Sequence, residues 1–173
     1  MRWNITQDTT TSSYNNWTTG TLNTYLNNDY YNTLNTDAKN MIGTTKYYLG
    51  GYNTSDITND TIWQYERKND ANRSGYYYGT NPIMQNDANK KIAIMNASDY
   101  GYGASKECTS TLNNYDDSAC STSNNWLDKS QIIWLLSQDS NGSGDTFLVA
   151  SSGIVFNGAS VGDNECVVRP VLS

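Results

Sequence analysis

No histidine occurs among the 173 residues, and that absence narrows the chemistry before any motif is read. Ser-His and Cys-His nucleophile activation, imidazole acid–base catalysis and every histidine-containing zinc site are removed. Carboxylate-pair hydrolysis remains open as a mechanism, but no two of the 17 Asp and Glu stand out from a solvated background. The expectation is a protein that is not an enzyme. The string with most cation chemistry is Asp139-Ser140-Asn141-Gly142-Ser143-Gly144-Asp145. Asp139, Asn141, Ser143 and Asp145 offer oxygen at alternate positions and Gly144 stands sixth, as at the start of an EF-hand calcium loop. Ala150 occupies the twelfth position, where a bidentate acid belongs, and the flanks read as strands. A plain Gly/Asn/Asp hairpin loop accounts for the same residues. No resident cofactor is expected, with calcium on this loop as the alternative.

Non-covalent recognition chemistry is better supplied. Tyr76-Tyr77-Tyr78 places three phenols in a polar stretch, and tyrosine combines rigid area with a hydrogen-bonding tip. Ligand contact is expected from three connections: Tyr76, Tyr77 and Tyr78; Asn141 within Asp139–Asp145; and Asn157, Asp163 and Asn164 in the polar run from Asn157 to Glu165. Amides, hydroxyls and acids beside aromatic rings suit sugars and polar protein epitopes alike. The plain alternatives are a β-edge over the core for the tyrosines and ordinary solvated loops for the rest.

The three cysteines divide unequally. Cys108 and Cys120 bound a short polar loop, and a disulfide between them would stabilise the fold by roughly 3 kcal/mol on the loop-entropy model. Cys166 is left over, expected as a buried thiol in the last strand, with pairing to a partner chain as the alternative. The spacing is poor for a three-cysteine metal site.

These residues need a scaffold, and 173 residues suffice for one domain, 1–173, burying roughly 70% of its unfolded surface. Net charge is −6 with 16% charged residues, and the 11 Lys and Arg are scattered. No basic patch neutralises phosphates, so nucleic acid is not an expected partner, and no polybasic segment addresses a membrane surface. Asn, Thr and Ser lead the composition, beside 14 Tyr and 5 Trp. That mixture is common on secreted surface proteins, and its aromatic and β-branched content argues against disorder. No stretch approaches the roughly 18 apolar residues of a membrane helix. The abrupt start at Met1-Arg2-Trp3 and stop at Val171-Leu172-Ser173 read as boundaries within a longer chain whose targeting information lies elsewhere. An extracellular or cell-surface location is expected.

Along the chain, Trp3 to Gly20 reads as an early strand and loop. Leu22, Tyr25, Leu26, Tyr30 and Leu34 recur at helical spacing and predict an amphipathic helix from about Thr21. Asn35-Thr36 can cap a second helix with Asp37 in its first turn, Met41 and Ile42 facing inward and Gly43 at C′. Thr45–Leu49 reads as a strand, Asp60–Lys68 weakly as a helix, and Arg73–Asn89 as polar loop. The stretch from Lys90 to Leu127 organises the rest: a buried strand at Ile92-Ala93-Ile94, a sharp turn through Ser98–Ser105, the cysteine loop, then Asn125-Trp126-Leu127. Ile132–Ser137 reads as a strand buried on both faces. Phe147–Ala150 and Gly153–Phe156 form a hairpin around Ser151-Ser152, and Cys166–Leu172 is the last strand. Helices first and antiparallel strands after predict an α+β domain.

Several of these strings together resemble a known group. They are Leu22-Asn23-Thr24-Tyr25-Leu26-Asn27, Ala38-Lys39-Asn40-Met41-Ile42, Lys91-Ile92-Ala93-Ile94-Met95 through Ser98-Asp99-Tyr100-Gly101-Tyr102, Asn125-Trp126-Leu127, Trp134-Leu135-Leu136-Ser137 and Val168-Arg169-Pro170-Val171-Leu172. From Leu22 to Leu172 the chain is similar to secreted domains of low-GC Gram-positive gut bacteria, often found behind pilin-like leaders. That resemblance implies a C-type-lectin-like fold, with N-terminal helices packed on a twisted antiparallel sheet. The same fold is used by formylglycine-generating enzymes and by retroelement variable proteins, and its members bind very different things. The animal lectin Glu-Pro-Asn sugar motif has only Thr80-Asn81-Pro82 as a counterpart, and the paired late cysteines of the formylglycine enzymes are reduced to Cys166. Neither activity is therefore implied. What is implied is a cell-adhesion module whose partner is a glycan or protein on a host or neighbouring cell. The second reading is a pilus or pseudopilin head subunit that meets other pilus subunits and no small ligand.

Overall fold

The computed structural model describes residues 2, 17, 20–44, 47–48, 84–85, 90–103, 125–127, 130–138, 144–160, 162 and 165–172. Helix α1 (Thr21–Tyr25) runs into a π-helical segment (Leu26–Tyr30) and then α2 (Tyr31–Thr33). The apolar spacing makes this run amphipathic: Leu22 and Leu26 are buried, while Tyr30, Tyr31 and Leu34 pack partly against the same core. Tyr25 departs from the expected stripe and stands 37% exposed.

Helix α3 (Thr36–Met41) starts as its cap predicts, with the Asn35 side chain accepting from the Ala38 N–H at 2.8 Å and Asp37 in the first turn. It ends differently. Ile42 leaves the helix in an extended conformation and carries the inward contact alone, so Met41 faces solvent rather than the core.

Polar side chains fasten this helical layer to its surroundings. Asn23, wholly buried, ties it to the preceding segment by donating to the Trp17 carbonyl at 2.9 Å. Asn27, in the π turn, accepts from the backbone N–H of Lys91 at 2.7 Å and of Ile92 at 3.0 Å, and donates to the Ile92 carbonyl at 2.8 Å. One carboxamide thus meets both backbone groups of Ile92, the double bond that a partner strand would supply. Lys91 reaches back, donating to the Tyr31 hydroxyl at 2.8 Å with its ammonium 4.6 Å from that ring's centre.

The strands are β1 (Tyr47–Tyr48), β2 (Met84–Gln85), β3 (Ile92–Ile94), β4 (Ile133–Gln138), β5 (Asp145–Val149), β6 (Val155–Ser160) and β7 (Pro170–Leu172). All named pairs are antiparallel: β1 with β2, β3 with β7, and the meander β4-β5-β6. The architecture is therefore α+β. Strand β2 falls inside the stretch expected to be loop, because its partner Tyr47-Tyr48 supplies pairing that local propensity does not announce.

Strand β4 carries Ile133 through Ser137 with every residue buried, as the uninterrupted apolar run requires. Trp134 and Leu136 join Ile92, Ala93, Ile94 and Leu148 in the main core, and the Leu136 N–H donates to the Met95 carbonyl at 2.8 Å where β3 meets β4. The β5-β6 hairpin turns through Ser151, Ser152 and Gly153, with Gly153 at φ 84. Bonds from Gly153 N to Ala150 O (2.9 Å) and from Ala150 N to Ile154 O (2.8 Å) define a three-residue turn whose last position needs left-handed backbone.

The closing segment is not one continuous strand. Val167 makes a parallel bridge to Ile133, whereas Pro170–Leu172 crosses to pair with β3, Ile94 opposite Pro170. Proline has no N–H to donate to a ladder, which suits a strand that begins at that residue. Cys166 is a buried thiol in the main core, 3% exposed.

Candidate functional site

Helix α4 (Ala97–Tyr102) replaces the sharp turn expected over Ser98–Ser105. Asp99 explains why: its carboxylate accepts from the Asn96 backbone N–H at 2.8 Å, a reach-back that starts a helix even in a glycine- and tyrosine-rich stretch. Three bonds then make α4 the hub of the fold. Its first N–H, from Ala97, is taken by the Ser137 hydroxyl of β4 at 2.9 Å. Its buried Tyr100 hydroxyl donates to the Gly153 carbonyl in the hairpin turn at 2.9 Å. Its C-terminal end receives the Asn125-Trp126-Leu127 turn.

That turn is held on all sides. Asn125 is 2% exposed. Its Nδ2 donates to the Tyr100 carbonyl at 2.9 Å, while its Oδ1 accepts from the Leu127 N–H at 3.0 Å, an Asx-type turn. The Trp126 N–H donates to the Gly103 carbonyl at 3.2 Å, and the Arg169 guanidinium donates to the Leu127 carbonyl. Gly103 is required by proximity: a Cβ there would lie 2.7 Å from Asn125 Oδ1 and 2.8 Å from Leu127 Cδ1. Trp126 itself projects outward and is 72% exposed.

Two consequences follow. Segment 104–124, which carries Cys108 and Cys120, leaves the described fold at Gly103 and re-enters it beside the same residue. The re-entry point also presents a large aromatic ring on fixed backbone. The tryptophan was not among the residues expected to contact ligand. Its sequence signal is Asn125-Trp126-Leu127 as a recognisable string, while exposure depends on contacts made with residues far along the chain.

The residues expected at the site fare unevenly. Tyr76, Tyr77, Tyr78, Asp139, Asn141, Ser143, Asp163 and Asn164 lie outside the described residues, as do Cys108 and Cys120. Asn157 is described and is not in a loop: it belongs to β6, which continues to Ser160. Next to the Gly153 turn Val155 and Phe156 pair with Val149 and Leu148, and beyond a one-residue register shift Ala159 and Ser160 lie opposite Thr146 and Asp145, so pairing carries the strand through Asn157-Gly158 despite their poor strand propensity. Asp145 correspondingly opens β5 and pairs with Ser160 instead of sitting within a loop. Among the described residues no group of three or more Cys, Asp or Glu converges as metal ligands would. No helix among them is long and apolar enough to cross a membrane.

Comparison with protein-family models, curated proteins and solved structures finds no match to this chain.

Proposed function

We propose that this chain is an extracellular binding module of C-type-lectin-like architecture, recognising a carbohydrate or protein ligand at the surface of a host or neighbouring cell. The observation that supports this reading best is the clamp at Gly103 and Asn125. Four side-chain or backbone bonds, and side chains so close to Gly103 that an added Cβ would force Asn125 or Leu127 to shift, fix the point where segment 104–124 leaves and returns. Long connections on rigid scaffolds are where binding residues concentrate. The absence of histidine from the sequence supports a binding role over catalysis. Calcium at Asp139, Asn141, Ser143 and Asp145 belongs to the same proposal as an optional ligand, since the string supplies the first half of a calcium loop.

The test is adhesion of the purified chain to bacterial and epithelial cells, with calcium and with a chelator. Saturable binding supports the module. Loss of binding on chelation assigns calcium to the Asp139–Asp145 string, and unchanged binding removes it. No adhesion, together with co-purification with pilus subunits, would replace the proposal with the assembly-subunit reading.

A further inference from the structure

We draw no further inference here: the strongest candidate, the outer edge of strand β6 with Phe156 half-exposed on it, carries nothing, because a register shift interrupts that strand between Phe156 and Ala159 and nothing in the structure shows what covers it.

Discussion

Asn27 offers the sharpest test of how this fold is held together. Its carboxamide makes three bonds to the backbone at the start of β3, one to the preceding Lys91 N at 2.7 Å and two within the strand, Ile92 N at 3.0 Å and Ile92 O at 2.8 Å. Ile92 is wholly buried, so its backbone groups cannot turn to water when the side chain is removed. At about 1 kcal/mol net per bond, with a further penalty for stranded partners, Asn27→Ala should cost roughly 3 kcal/mol. For a domain of this size that corresponds to a fall in Tm of about 6–12 °C. Asn27→Asp keeps an acceptor for both N–H groups but loses the donor shared by Ile92 O, Asn23 O and Asn23 Oδ1 and turns a carboxylate oxygen towards those acceptors, so it too should destabilise. Asn28→Ala, one position along on the exposed side, should move stability by less than about 0.5 kcal/mol. Urea denaturation of the four proteins orders them. A cost below about 0.5 kcal/mol for Asn27→Ala would refute the view that a helix side chain takes the place of a strand partner.

Three further outcomes are expected. Trp134→Ala, which empties a fully buried position in β4, should destabilise by about 3–5 kcal/mol in the same denaturation assay. Gly103→Ala introduces a Cβ 2.7 Å from Asn125 Oδ1 and should cost about 1–3 kcal/mol, with faster protease cleavage within 104–124; unchanged stability and cleavage would show that the clamp gives way easily. Alkylation of the denatured, unreduced chain should modify one thiol, Cys166; modification of all three would remove the expected Cys108–Cys120 bridge and, with it, a main support for an extracellular location.

Patterns decided by nearest neighbours were legible in the sequence, and those decided by distant partners were not. The first helix, the Asn35 cap, the doubly buried β4 and the Ser151-Ser152 hairpin follow from 3.6- and 2-residue periodicity and from turn chemistry. The helix at Ala97–Tyr102 was hidden because glycine and tyrosine outweigh the Asn96–Asp99 reach-back in any propensity sum. The extension of β6 through Asn157 was hidden because it depends on a register shift opposite Leu148 and Thr146 that local sequence does not announce. Of the expected site, Asn157 and Asp145 turned out to be strand residues. Trp126, 72% exposed, went unselected because apolar residues are read as core until their neighbours are known.

The joints of this fold share one construction. Asn27 meets Ile92, Ser137 meets Ala97, Tyr100 meets Gly153, Asn125 meets Tyr100 and Arg169 meets Leu127, each a side chain bonded to a backbone group of another element. Such bonds depend on the identity of one residue and on the backbone path of the other, and not on the chain between them. A scaffold assembled this way can hold connections of widely different sequence, provided their stems reach the joints. Segment 104–124 is anchored by Gly103 and Asn125, and the stretch beyond Gln138 returns at Asp145 into a strand that β6 already fixes.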